Sequence, residues 1–167
     1  MARKVNKAGF DLVKHFEVFY TKAYTCPAGV WTIGYGHTKG VKRGDTVTLD
    51  EAEQLLEADL DAAGAEVERL VRVTLKANQY AALVSFVFNA GSGNFAASTL
   101  RKKLNAGGYD DVPVELARWV KATDPKTGQK RTLAGLVRRR AAEGELWLSA
   151  EPGRFVNSSI MPQEVSR

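Results

Sequence analysis

The spacing of apolar residues changes character within the first third of the chain. Apolar side chains recur at steps of three within residues 10–16, which predicts a short helix that begins after the N-cap residue Asn6. Glu17 then lies at the C-terminal end of this helix. Residues 19–47 are rich in β-branched and aromatic side chains interrupted by glycines, which predicts a small antiparallel β region with tight turns.

A long amphipathic helix is predicted directly after the β region. Thr48 and Glu51 have the spacing of a capping box, and apolar residues follow at steps of three and four from Leu49 to Leu70. Gly64 lies inside this segment and costs about 1 kcal/mol relative to alanine, so a break or bend there stays open. We expect this helix to join the β region to a helical lobe.

The remaining apolar periodicity predicts further helices separated by short loops. Pro113 fits the first turn of one of them, and residues 124–128 have the composition of a surface turn. Thr132 is the predicted N-cap of the last helix, which ends at Leu148. The helices predicted before it cover residues 78–89, 95–105 and 111–120.

The pattern as a whole is that of an α+β protein. We expect one domain over residues 1–149, made of a small antiparallel β lobe at about 17–47 and a larger all-helical lobe at about 48–149. Residues 150–167 contain prolines, a glycine and serines with little periodicity. They are expected to form a loosely packed C-terminal tail.

Composition adds constraints on class and partners. Apolar residues at 44% and charged residues at 26% are typical of a globular protein and exclude disorder as the main description. The formal net charge of +5 favours an anionic partner, although a modest charge also serves solubility alone. The start has no apolar segment of signal-peptide length, and the apolar run at 80–88 is too short for a bilayer. A single cysteine, Cys26, forms no intramolecular disulfide.

Glu17, Cys26 and Thr32 form a motif in which eight residues separate the first pair and five separate the second. This motif resembles the catalytic region of phage-type lysozymes, glycoside hydrolase family 24, in which the middle position is usually Asp and less often Cys. The resemblance covers about residues 5–149 and is strongest towards endolysins of lambdoid phages. Further segments that carry it are Gln79 to Gly91, Phe95, Ser98 to Leu100, Trp119, Gly135-Leu136, Arg139-Arg140 and Glu143.

The resemblance implies a lysozyme-like fold and hydrolysis of the β-1,4 bond between N-acetylmuramic acid and N-acetylglucosamine in bacterial peptidoglycan. It implies a monomer that needs no metal and no organic cofactor. The two histidines, His15 and His37, have no acidic partners at metal-ligand spacing, so zinc is not expected. Without an export signal, the protein is expected to accumulate in the host cytoplasm and to reach the cell wall with help from a holin.

Glu17 is the candidate proton donor. Glycosidic cleavage requires a carboxylic acid that stays protonated near neutral pH. The negative end of a helix dipole disfavours a carboxylate, and the apolar neighbours Phe16 and Val18 add desolvation in the same direction. Both effects are expected to raise the pKa of Glu17.

Cys26 departs from the usual aspartate of the family, and its role is open. As a thiolate it would act as a base towards water, which we slightly favour, or as a nucleophile. As a thiol it would pack as a small hydrophobe. The resemblance implies that Thr32 positions the attacking water or contacts the sugar ring, although a β-branched residue is also ordinary in a strand.

The resemblance implies roles for residues outside the motif as well. His37 is expected to be a structural hydrogen-bonding residue close to the acid, and Arg139 or Arg140 is expected to reach towards Glu17. Core packing and helix capping explain two of the candidate sugar-binding residues, Phe88 and Asn89, equally well. The residues expected to line the sugar groove are Thr38, Phe88, Asn89 and Thr99.

The basic run Arg138, Arg139 and Arg140 has a second interpretation, contact with an anionic membrane or outer envelope. Nucleic-acid binding is not expected, because no zinc pattern or extended basic arm accompanies this run. Two other functions stay open. One is a lytic transglycosylase with the same proton donor, and the other is a wall-binding or membrane-disrupting protein without catalysis.

Overall fold

The computed structural model describes residues 3–149, so the predicted tail at 150–167 lies outside the described residues. The first helix, α1, covers Lys7–Phe16. The Asn6 side chain accepts a hydrogen bond from the backbone N–H of Gly9 at 3.0 Å, which confirms the predicted N-cap. Glu17 is the C-cap residue, and its backbone N–H still bonds to the carbonyl of Val13.

The predicted β region forms an antiparallel hairpin of two strands, β1 (Tyr20–Thr25) and β2 (Trp31–Gly34). Tyr24 pairs with Thr32 in this register. Cys26 lies in the connecting turn, where its backbone N–H bonds to the carbonyl of Val30 at 3.0 Å. The register therefore fixes Cys26 and Thr32 at the same end of the hairpin.

The long helix α2 covers Leu49–Leu70 and begins with the predicted capping box of Thr48 and Glu51. It runs through Gly64 without a break. An added Cβ at Gly64 would lie 2.1 Å from the hydroxyl oxygen of Tyr80, a residue that is 2% exposed. Glycine therefore permits close packing between α2 and the next helix.

That next helix, α3 (Ala77–Ala90), forms the centre of the core. It packs against α1, α2 and the last helix, α7 (Ala134–Leu148). Every residue from Tyr80 to Val87 is buried, which explains the long apolar run in the sequence. None of the helices within residues 3–149 is long and apolar enough to cross a membrane.

The single helix predicted at 95–105 is wrong, because the chain forms two helices there. These are α4 (Ser92–Ala97) and α5 (Thr99–Asn105), and Ser98 between them has an extended backbone. The Ser98 hydroxyl donates to the carbonyl of Phe95 at 2.7 Å and accepts from the backbone N–H of Arg101 at 3.1 Å. One serine thus ends the first helix and caps the second.

The helix predicted at 111–120 is shorter than expected. A 3-10 turn at Tyr109–Asp111 leads into α6 (Val112–Leu116), which has the predicted proline in its first turn. The chain then forms a second antiparallel hairpin of β3 (Lys121–Thr123) and β4 (Lys130–Thr132), closed by the predicted turn at 124–128. The larger lobe is therefore not all-helical.

Thr132 is the last residue of β4, so its prediction as the N-cap of the last helix is wrong. Leu133 occupies that position, and no side chain caps α7 there. The backbone of Thr132 is used in strand pairing with Lys121. Pairing with a strand nearby in space has overridden the local capping preference of a threonine.

Candidate active site

Glu17 is held half-buried at the end of α1, with its side chain 24% exposed. Burial raises the pKa of Glu17, and the guanidinium of Arg139 opposes this with Nη1 3.7 Å from Glu17 Oε2. Burial is the larger effect. The carboxyl group is therefore stabilised in its protonated form, as a proton donor requires.

Gly36 packs directly against the Glu17 carboxyl group. Its φ is +75°, and an added Cβ would lie 3.0 Å from Glu17 Oε1. A side chain at this position would be strained in its backbone and would crowd the acid. Glycine thus lets the chain after β2 pass close to Glu17.

Two clefts meet at Glu17. One, of about 470 Å³, lies between the loop after β2, α2 and the end of α3. The other, of about 440 Å³, lies between the end of α1 and the start of α7. Glu17 and Asn89 line both clefts, so Glu17 lies where the two clefts meet.

The first cleft brings together three of the four residues predicted to bind sugar. Thr38, Phe88 and Asn89 all line it together with Glu17. Thr99 does not line this cleft. It lines a separate cavity of about 320 Å³ beside Trp119.

Cys26 and Thr32 interact at the turn of the first hairpin. Backbone hydrogen bonds from Val30 and Ala28 lower the pKa of the partly exposed Cys26 thiol, and the Thr32 hydroxyl adds to this. Thr32 is 4% exposed and its hydroxyl also lies 3.0 Å from the carbonyl of Val30. With one proton, the hydroxyl donates to only one of these two acceptors at a time.

The phage lysozyme family model matches residues 14–143, which include Glu17, both hairpins and most of α7. The chain belongs to the phage lysozyme family. It is 44% identical to an endolysin of Acyrthosiphon pisum secondary endosymbiont phage 1, over 87% of this chain and 99% of that protein. It is 36% identical to the endolysin of Salmonella phage P22, over 87% of this chain and 99% of that protein.

A solved structure supports the same membership. The muramidase domain of SpmX from Asticaccaulis excentricus superposes with a TM-score of 0.82 at 39% identity, covering 88% of this chain and 99% of that one. The predicted lysozyme-like α+β fold is therefore confirmed, with the second hairpin as an addition to its larger lobe. Family membership also confirms that the chain is a glycoside hydrolase.

The three consecutive arginines do not share one environment. Arg139 and Arg140 are each 3% exposed, whereas Arg138 is exposed. The predicted membrane contact through all three is therefore wrong for Arg139 and Arg140, which face the core. Arg139 reaches Glu17 as predicted, whereas Arg140 donates to Asn89 and to the carbonyl of Trp119.

Each ring nitrogen of His37 lies within hydrogen-bond distance of an acceptor, which suits a structural histidine. Its Nδ1 lies 2.8 Å from Asp59 Oδ2, and its Nε2 lies 2.9 Å from the carbonyl oxygen of Lys39. Sequence reasoning missed Asp59, which lies on α2 and lines the cleft with Glu17. Nothing in the spacing of His37 and Asp59 indicates the pair, because it depends on how the loop after β2 folds over α2.

Tyr24 is a second residue that sequence reasoning missed. Burial raises the pKa of its phenol, and the neighbouring Tyr20, Glu17 and Cys26 add to this. Tyr24 therefore lies close enough to interact electrostatically with both Glu17 and Cys26. Its pairing with Thr32 across the hairpin depends on the strand register, which the composition of residues 19–47 does not specify.

Proposed function

We propose that this phage lysozyme is an endolysin that hydrolyses the β-1,4 bond between N-acetylmuramic acid and N-acetylglucosamine in bacterial peptidoglycan. The observation that carries the proposal is Glu17, a carboxyl group with a raised pKa at the junction of two clefts. A glycan strand extends on both sides of the bond that is cut. Two clefts that meet at the acid suit such a polymer.

Glu17 would donate its proton to the oxygen of the leaving sugar. The bond between that oxygen and the anomeric carbon breaks as positive charge develops on the ring. Water then supplies the hydroxyl group at the anomeric carbon and loses a proton to a base. A protonated acid near neutral pH is needed for the first step, and the burial of Glu17 favours it.

Cys26 is the residue that we propose as this base, with a role as nucleophile as the alternative. The lowered pKa of its thiol favours the thiolate that either role requires. Thr32 would then orient the attacking water, because its hydroxyl lies beside the thiol. A base role predicts inversion at the anomeric carbon, and a nucleophile role predicts retention.

Thr38, Phe88 and Asn89 would bind the sugar rings in the first cleft. Phe88 offers an aromatic face, and Thr38 and Asn89 offer hydroxyl and amide groups for the sugar hydroxyls. Thr99 would contact substrate only where the glycan or its attached peptide extends to the neighbouring cavity. His37 supports this cleft through its hydrogen bond to Asp59.

We further propose that the protein accumulates in the host cytoplasm and reaches the wall through a holin.

The decisive experiment is mass spectrometry of the fragments released from purified peptidoglycan by the wild type and by Glu17→Gln. We expect reducing-end muramic acid from the wild type and almost no fragments from the variant, because an amide does not donate a proton as a carboxylic acid does. Glu57→Gln, a change at an exposed carboxylate on α2, is the matched control and should resemble the wild type. Anhydro-muramic acid would instead show a lytic transglycosylase, and no fragments at all would favour a non-enzymatic wall-binding protein.

Cys26 needs its own experiment. Cys26→Ala should lose most activity, Cys26→Asp should retain much of it, and alkylation of this sole cysteine should inactivate the wild type. NMR of the newly formed anomer would separate the base from the nucleophile. Full activity of Cys26→Ala would reduce Cys26 to a packing residue.

A further inference from the structure

Glu143 is a fully buried carboxylate with no role in the proposed mechanism. It is 0% exposed and lies on α7, three residues after Arg140 and four after Arg139. This spacing places all three side chains on one face of the helix. The face packs against α3, where the Ser85 hydroxyl donates to Glu143 Oε2 at 2.6 Å.

Both arginines form ion pairs with this one carboxylate. Arg140 Nη1 donates to Glu143 Oε1 at 2.5 Å, and Arg139 Nε lies 3.5 Å from Glu143 Oε2. The far ends of the two arginines contact residues that line the clefts. Arg139 Nη1 lies 3.7 Å from Glu17, and Arg140 Nη2 donates to Asn89 Oδ1. Glu143 is thus the shared anchor of two side chains that end at the acid and at the residue lining both clefts.

We propose that Glu143 is a positioning residue that holds Arg139 against Glu17 and Arg140 against Asn89, and that its charge limits how strongly Arg139 favours the ionised form of Glu17. This inference rests on the proposed function, in which Glu17 donates a proton. Glu143 itself contacts neither the groove nor the substrate. Its effect passes through the two arginines.

The charges of the cluster give the direction of the effect. Two buried guanidinium groups surround one buried carboxylate, so the cluster carries one positive charge in excess. Without the charge of Glu143 the excess would double, and the positive charge of Arg139 beside Glu17 would no longer be offset by a nearby anion. A nearby cation stabilises a carboxylate and lowers its pKa. Less Glu17 would then be protonated at neutral pH.

Other charged and titratable groups also face Glu17. They come from α1, β1 and its turn, the loop after β2, α2 and α7, and they stay unchanged when Glu143 is replaced. A difference in pH dependence between variants therefore reports on the cluster. His15, Lys39, Asp59, Glu66 and Arg138 line the clefts with Glu17, Tyr24 interacts with Glu17 through charge, and Cys26 in the turn interacts with Tyr24 in the same way.

The test is the pH profile of kcat/KM on soluble peptidoglycan fragments. For Glu143→Gln we expect about a tenfold or greater loss at pH 7, equivalent to about 1.4 kcal/mol in barrier. Activity should recover as the pH is lowered, because the high-pH limb of the profile moves to lower pH. Arg139→Gln removes the cation instead and should move the same limb to higher pH. Opposite movements of the limb from replacing the two partners of one ion pair would not arise from a merely structural role.

Two further variants keep the result interpretable. Glu115 is also a buried carboxylate, 2% exposed and 2.9 Å from Lys103 Nζ, but it lies on α6 away from Glu17, so Glu115→Gln should leave the limb in place. Glu143→Asp retains the charge on a shorter side chain, and it should lower the rate with the limb unshifted. This variant tests the positioning role even if Glu143→Gln fails to fold.

The inference would be overturned if Glu143→Gln keeps the wild-type limb, or if Glu143→Asp has the wild-type rate throughout. An inactive wild type would instead contradict the proposed function. The two failures are therefore distinguishable in one set of measurements.

Discussion

Gly36→Ala should lower the catalytic activity of this protein by more than its loss of stability explains. Gly36 has a φ of +75°, and an alanine Cβ there would lie 3.0 Å from Glu17 Oε1 and 3.4 Å from its Cδ. A non-glycine residue in this backbone conformation costs about 1–2 kcal/mol. The contact adds a second effect, because the carboxyl group must move by a few tenths of an ångström.

The size of the activity loss follows from that displacement. Misplacing a reacting group by about 1 Å costs on the order of a hundredfold in rate. A shift of a few tenths of an ångström should therefore cost about three- to tenfold in kcat. Gly44→Ala is the matched control, since Gly44 has a φ of +89° and nothing within 4 Å of an added Cβ. It carries the same backbone strain without contact with Glu17.

The assay compares urea unfolding and peptidoglycan hydrolysis for the two variants. Both should be destabilised by about 1–2 kcal/mol, and only Gly36→Ala should lose activity per folded molecule. The reasoning is wrong if Gly36→Ala hydrolyses peptidoglycan within about 1.5-fold of Gly44→Ala, because the close approach to Glu17 would then have no catalytic consequence.

Three further outcomes are expected. Gly64→Ala should lower the free energy of unfolding by about 1–2 kcal/mol in thermal unfolding, because the added Cβ collides with buried Tyr80 and this outweighs the better helix propensity of alanine. Gly93→Ala, at a helical position with free space, should not destabilise the protein, and equal effects of the two variants would contradict the packing role of Gly64. Thr48→Ala should cost about 1 kcal/mol in urea unfolding through loss of the capping box, and an unchanged midpoint would refute that role. The kcat/KM of the wild type should fall as the pH rises through the raised pKa of Glu17, since the protonated acid is lost; a fall only near the pKa of an ordinary glutamate would contradict the upward shift.

Local signals in the sequence were sufficient for several elements. Asn6 and Thr48 cap helices by bonding to backbone N–H groups only three positions away, so nearby residues are enough to predict both caps. The position of Glu17 at a helix end followed from the same local pattern. Its spacing to Cys26 and Thr32 was readable too, because it lies within one short hairpin and its flanks.

Other features depended on contacts between distant parts of the chain. The pairing of Lys121 with Thr132 overrode the predicted helix cap, and short polar strands of this kind leave no apolar alternation to detect. Arg139 and Arg140 look like a solvated basic run, yet both are buried because Glu143 and the end of α3 supply partners for their charges.

Sequence by itself thus determined most helix starts, because capping residues act within about a turn of the helix. It also determined the motif of Glu17, Cys26 and Thr32, which lies within one hairpin and its flanks, and the fold class, which follows from the order of helical and β patterns along the chain. Tertiary structure alone decided that Gly36 approaches Glu17 and that His37 bonds to Asp59. It also placed Thr99 in a different cavity from Phe88. Side-chain burial and the pairing of charges depend on which surfaces meet when helices and hairpins pack. The sequence of one segment alone does not specify which surfaces these are.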